Sequence, residues 1–173
     1  MSSPEKDIRR YYDYPIDQEA AKAGKAGAGL IWFMTRDYLS PPLSNADHIV
    51  ENPHLWINAT RERVLRLARN LDIKPGDKVF DLGCGIGGPG RDIALKTGAI
   101  VTGISLSHNQ LTSLRQLSFN KDSDYTSVVA GDMQFMPITD KCADAVFSIN
   151  ALYHVPDYTQ ALKESLRILK PGG

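Results

Sequence analysis

The sequence predicts an α/β fold in which a mostly parallel sheet is layered with helices. Three observations point to it. From residue 58 onward, short apolar runs of strand length alternate with longer runs of helical period, the order that parallel strands with right-handed crossovers produce. The helical runs carry start and stop signals, with Pro89 and Gly98 bracketing "PGRDIALKTG" and "PGG" ending the last run. A glycine-rich turn, "DLGCGIGGPG" (81–90), joins the first strand to the helix after it. In open sheets of this kind, ligands bind at the carboxyl ends of the strands.

The elements follow in order. Residues 1–57 are aromatic-rich and irregular and are predicted to be an N-terminal helical segment acting as a lid. Within them "EAAKAGKAGAG" (19–29) is a helix that frays into glycine, and "LSPPLSNADHI" is a turn-rich connector. Residues 58–173 are the predicted core. "NATRERVLRLARNL" (58–71) is an amphipathic helix, with Val64, Leu65, Leu67 and Ala68 inward and Arg61, Arg63, Arg66 and Arg69 as a solvated face. "KPGD" turns the chain into the buried strand "KVFDLG" (78–83), and the Pro89 helix follows. "AIVTGISL" (99–106) is the second strand and "SHNQLTSLRQLSFNK" (107–121) its helix. "YTSVVAGD" (125–132) is the third strand and "CADAVFSIN" (142–150) the fourth. "DYTQALKESLRILK" (157–170) is the last helix. "LKPGG" reads as the turn into a fifth strand, so the sheet is expected to be truncated after its fourth strand and helix.

Composition narrows the function classes. Twenty basic residues balance twenty acidic ones, which argues against a general binder of nucleic-acid backbones. No run approaches the apolar length of a membrane span, and "MSSPEKDIRR" has no hydrophobic signal core. The two cysteines, Cys84 and Cys142, form no C-x-x-C pair, so no metal site is expected. A reducing, cytoplasmic location is expected.

Gly83, Gly85 and Gly88 spell G-x-G-x-x-G, the dinucleotide fingerprint. Three neighbours argue against a dinucleotide. Pro89 removes an N–H from the helix start where a pyrophosphate would bind. Ser105 stands where the ribose of NAD would want an acid. Asp81, two residues before Gly83, would repel a pyrophosphate but suits an ammonium group. S-adenosylmethionine carries such an ammonium, a sulfonium and no phosphate.

"KVFDLGCGIGGPGRDIA" resembles the first motif of class I S-adenosylmethionine-dependent methyltransferases. Its ending is similar to that of the sterol C-methyltransferase and tocopherol methyltransferase group. "VTGISLSHNQL" resembles the second-strand motif of that group and of the cyclopropane fatty acid synthases. The stretch from Gly131 to Gly173 resembles the rest of the core. The resemblance implies a Rossmann-like methyltransferase sheet with S-adenosyl-L-methionine as cofactor. It implies that Asp81 binds the methionine ammonium, with Gly83, Cys84 and Gly85 lying along the methionine part. Ser105 and Gln110 share the ribose, as a hydroxyl residue and downstream glutamine do in the cyclopropane synthases. Asp132 accepts from the adenine amino group beside the Met133 backbone, and Ile149 and Asn150 face the transferred methyl. Each has a plainer rival. Asp81 caps a helix, Cys84 is small filler, Ser105 ends a strand, Gln110 is helix surface and Asp132 is a turn residue.

Methyl transfer needs positioning and exclusion of water, and a base only where the acceptor must lose a proton. His154, after the fourth strand, is the candidate base, with a structural loop histidine as the alternative. Tyr153 is the candidate hydroxyl donor or cation-facing ring, where the cyclopropane synthases carry a glutamate. "NALY" (150–153) lacks the two prolines of amino-methylating nucleic-acid enzymes, so no nucleic-acid substrate is expected. Tyr11, Tyr12 and Tyr14 suit a lid over a cationic or apolar acceptor, or ordinary core packing. The expected function is methyl transfer to a small, largely apolar acceptor, preferably C-methylation of a terpenoid, sterol-like or lipid-like compound. N- or O-methylation of a metabolite, and a non-catalytic interaction module, are the alternatives. The expected partner is the small-molecule acceptor, with a homo-oligomer left open.

Overall fold

A computed structural model describes residues 53–118 and 125–173. Helix α1 (Pro53–Asn70) leads into β1 (Lys78–Leu82), α2 (Gly88–Thr97), β2 (Ile100–Ser105), α3 (His108–Ser118), β3 (Tyr125–Ala130) and β4 (Ala145–Phe147). A single 3₁₀ turn (Leu152–His154) and α4 (Tyr158–Ile168) follow. The four strands are all parallel, in the order β3-β2-β1-β4. The chain runs outward from β1 to β3 and then returns across the sheet to β4. The switch point therefore lies between β1 and β4, where a parallel sheet opens its ligand crevice.

Side-chain alternation along β1 explains the layers. Val79 points to one face and joins Val64 and Ala68 of α1, Ile93 and Ala94 of α2, and Leu111 and Leu114 of α3 in one buried cluster. Phe80 and Leu82 point to the other face, where they meet Ile104, Met136, Ala143 and Ile168 of α4. A five-residue strand that is buried on both faces has no room for a polar residue without a purpose. Asp81 is 1% exposed within it.

Local chemistry sets the boundaries. Helix α1 begins at Pro53, earlier than the Asn58 start that its apolar period suggests, because proline suits a first turn that leaves its N–H unbonded. Val64 and Ala68 are buried as expected, and the arginines face outward, with Arg61 paired to Asp92 and Arg69 to Glu62. In the "KPGD" turn the Asp77 carboxylate accepts from Lys74 N at 2.8 Å, and Gly76 N donates to Gly98 O at 2.8 Å. Helix α2 has Pro89 in its first turn and ends on Gly98 in the left-handed region.

The fourth strand is a correction. Cys142–Asn150 was expected to be extended, but only Ala145–Phe147 pairs with β1. Ser148 Oγ turns back to donate to Leu82 O at 2.9 Å, and Asn150 takes a positive φ of 53°, which ends extended structure. Ile149 and Asn150 thus lie in the loop beyond the strand.

The long return from β3 to β4 is clamped to α4 by one arginine. Arg167 donates to Met136 O and Ile138 O at 3.0 and 2.7 Å and pairs with Glu164 and Asp140. Glu164 in turn accepts from Met136 N at 2.8 Å. The bond from Arg167 holds the Glu164 carboxyl below its usual range.

Candidate active site

The first wall is the turn after β1. Gly83 N and Cys84 N both donate to Ile104 O, at 2.8 and 3.0 Å, which folds the turn over the end of β2. Gly83 and Gly85 have φ of 77° and 55°, a conformation that a side chain resists. Gly83 is confined twice over, because a Cβ there would run into the Ala151 methyl and lie 3.3 Å from Met133 Cε. The residue at the N-cap of α2 is Gly87. Cys84 is buried, and desolvation, reinforced by the negative charge of Asp81, pushes its thiol well above the usual range. It stays protonated near neutral pH and acts as small apolar filler.

The second wall is the end of β2. Ser105, Ser107 and Gln110 are all buried there. Ser107 starts α3, its hydroxyl accepting from Gln110 N at 3.2 Å. Ser105 Oγ accepts from Ser107 N at 3.1 Å and donates to Gln110 Oε1 at 3.2 Å. The plainer account of Gln110 as helix surface is ruled out by its 5% exposure. Its amide oxygen is held by Ser105, and its Nε2 has no hydrogen-bond acceptor among the described residues. A buried donor without a partner is costly, so this amide calls for an acceptor.

The third wall follows β3, where Gly131 N donates to Ser105 O at 3.0 Å. Asp132 is half-buried, and its carboxylate accepts from Gln134 N at 2.8 Å and from Gln134 Nε2 at 3.2 and 3.0 Å. The sequence reading missed Gln134. Its only signal is an amide placed between Met133 and Phe135 in an otherwise apolar run.

The fourth wall is the loop after β4. Ala151 packs on Gly83, so the turns after β1 and β4 touch. Ile149 leans on the core cluster around Val79. The Tyr153 and His154 rings lie 4.0 Å apart at 45°, with Tyr153 67% exposed and His154 half-buried. Asp157 caps α4 by accepting from Gln160 N at 3.0 Å. Asp81, Gly83, Cys84, Gly85, Ser105, Gln110, Asp132, Met133, Ile149 and Asn150 are thus gathered at or just past the carboxyl ends of the four strands. Tyr11, Tyr12 and Tyr14 lie outside the described residues.

Residues 80–173 match the family model of the methyltransferase domain. The chain belongs to that family. This methyltransferase domain is 44% identical over 108 residues to a sterol 24-C-methyltransferase of Gibberella zeae, covering 62% of the chain and 28% of that relative. It is 43% identical over 107 residues to a cycloartenol-C-24-methyltransferase of Arabidopsis thaliana, covering 61% of the chain and 32% of the relative. Among solved structures, it superposes with a TM-score of 0.61 on a Haemonchus contortus phosphoethanolamine N-methyltransferase 2 in complex with S-adenosylhomocysteine. That pair shares 29% identity over 65% of this chain and 26% of the other. The chain spans about a third or less of the length of these two curated relatives. The sheet is the Rossmann-like one of class I methyltransferases, as expected.

In this methyltransferase domain, the polar groups at the strand ends differ in kind. At β1 there is a buried carboxylate, at β2 an amide donor with no acceptor among the described residues, and after β3 a carboxylate braced by an amide. A carboxylate suits an ammonium, a donor suits a hydroxyl, and a second carboxylate suits an exocyclic amine. Among the described residues, no cluster of three or more His, Cys, Asp or Glu could hold a metal ion. No described helix is long and apolar enough to cross a membrane.

Proposed function

We propose that the protein is an S-adenosyl-L-methionine-dependent methyltransferase of a small, largely apolar acceptor, with C-methylation of a terpenoid, sterol-like or lipid-like compound preferred. The open Gln110 Nε2, buried beside Ser105 in a methyltransferase domain, carries the cofactor half of the proposal. The C-24 sterol and cycloartenol relatives support the acceptor half. Bound S-adenosylmethionine supplies an activated methyl group on a sulfonium. The chain's residues do the rest. Asp81 meets the ammonium, the Gly83–Gly85 backbone admits the methionine part, Gln110 donates to the ribose, and Asp132 receives the adenine amine.

Methylation of an alkene leaves a carbocation that must lose a proton. The Tyr153 ring, two-thirds exposed beside His154, offers a π face to that cation. His154 is assigned the base that accepts the proton. Residues 1–57, with Tyr11, Tyr12 and Tyr14, are assigned the lid. A reducing, cytoplasmic location belongs to the same proposal and is supported by two unpaired cysteines. The Haemonchus relative, an N-methyltransferase by name, supports N-methylation as the second choice.

Calorimetric titration of the full-length protein with S-adenosylhomocysteine, S-adenosylmethionine and NAD tests the cofactor. Tighter binding of NAD sinks the proposal. Methyl transfer from isotope-labelled S-adenosylmethionine to a side-chain alkene of a sterol, against amine and alcohol acceptors, tests the chemistry. His154→Ala is expected to lose at least about a hundredfold in turnover, the scale of general-base catalysis. Full turnover in that variant would reject the base.

A further inference from the structure

We infer that Gln134 is a positioning residue that aims the Asp132 carboxylate and ties it to the start of α4. The inference rests on the proposed role of Asp132 toward the adenine amine.

Gln134 is 5% exposed, and all four of its polar groups are bonded. Its N and Nε2 hold Asp132 from one side. Its Oε1 accepts from Asp157 N at 3.0 Å, and its main-chain O accepts from Gln160 Nε2 at 3.1 Å. Asp157 is the N-cap of α4, and it directly follows the loop that holds Tyr153 and His154. One side chain therefore joins the adenine side of the site to the acceptor side.

The geometry also tells the two Asp132 oxygens apart. Oδ1 accepts from both Gln134 N and Gln134 Nε2 and has no capacity left. Among the described residues Oδ2 accepts only from Nε2, which leaves it one lone-pair direction. Oδ2 is the atom that receives the exocyclic amine, and Gln134 decides which way it faces. A turn residue needs none of this, since Phe135 N already closes the turn on Asp132 O at 3.0 Å.

Gln134→Glu separates the two arms. It keeps the acceptor for Asp157 N but turns the donor that faces Asp132 into a second carboxylate. The charged groups around it are Asp132 in its own turn, Asp157, and Glu164 already paired with Arg167 on α4. Two facing carboxylates share a proton at acid pH, which restores a donor to Asp132. Titration of S-adenosylhomocysteine into the full-length variant should show about ten- to a hundredfold weaker binding at pH 8. The deficit relative to wild type should shrink as pH falls toward 5. Gln134→Ala removes both arms and should lose the same affinity at every pH, along with thermal stability. Wild-type affinity in Gln134→Glu, or a deficit that does not change with pH, overturns the inference. A wild-type protein that fails to bind S-adenosylhomocysteine overturns the proposed function itself, and this role of Gln134 with it.

Discussion

Gly83→Ala should carry two costs that can be measured apart. The first is conformational. Gly83 sits at φ 77°, and a Cβ in the left-handed region costs about 1–2 kcal/mol. The second is crowding, because the new Cβ would overlap the Ala151 methyl on the facing loop. Overpacking of that kind adds about 1–3 kcal/mol. Gly85→Ala isolates the first cost, since Gly85 also has positive φ, at 55°, but a Cβ there would meet nothing within 4 Å. Ala151→Gly isolates the second. With its methyl gone, the nearest Ala151 atom to the new Cβ is Cα at 3.7 Å, an ordinary contact. The flexible end of Met133, at 3.3 Å, can give way. Urea unfolding should therefore show Gly83→Ala losing about 2–5 kcal/mol and Gly85→Ala about 1–2 kcal/mol. A double-mutant cycle should return about 1–3 kcal/mol of coupling between Gly83→Ala and Ala151→Gly. Equal losses in the two glycine variants, or strict additivity with Ala151→Gly, would refute the close approach of the two loops.

Gln110→Leu should weaken S-adenosylhomocysteine binding by about tenfold or more, because it removes a buried donor that no described residue satisfies, and should cost about 1–3 kcal/mol in urea unfolding, because it leaves the buried Ser105 hydroxyl without its Gln110 acceptor. A variant that unfolds more easily while binding normally would sink that assignment. The acid limb of stability gives a second check. Glu164 and Asp144 both titrate below their usual range, held down chiefly by Arg167 and Lys170 respectively. A lowered folded-state value means fewer bound protons than in the unfolded chain, so this stability is present above about pH 4.5 and is lost as pH falls through the lowered values. Arg167→Leu should flatten the loss of stability between pH 5 and 3 in urea titrations, and an unaltered acid limb would reject the clamp.

The sequence was most informative where a single local signal decides the structure. Pro89 and Gly98 bracket α2 because one lacks an N–H and the other accepts positive φ, and both facts are written in the residue type. The burial of Val64 and Ala68 follows from their spacing. The fourth strand was overread because its apolar run continues through Ile149, while its end is set by a tertiary bond from Ser148 to Leu82 O. The start of α1 was placed late because Pro53 lies ahead of the apolar period. Neither cause is visible in periodicity.

The site shows the same division more sharply. Residue identity and position placed Asp81 near the end of the first strand and Gln110 in the helix after the second, which is where the structure has them. They could not say how the polar groups divide the work, because hydrogen-bond partners depend on which atoms face each other across the fold. Ser105 and Gln110 look equivalent in sequence as ribose contacts. In the structure the Ser105 hydroxyl is spent on both sides, accepting from Ser107 N and donating to Gln110 Oε1. Of the donors in this pair, the Gln110 amide nitrogen is the one left without an acceptor among the described residues. Ser105 thus braces the Gln110 side chain, and Gln134 stands to Asp132 in the same relation, one amide bracing the carboxylate it adjoins. Each candidate cofactor contact after β2 and β3 is held by a neighbour that spends its own hydrogen bonds doing so. Buried polar groups remain in one orientation only when their other valences are filled, so these neighbours are what keep Gln110 and Asp132 aimed before any ligand arrives.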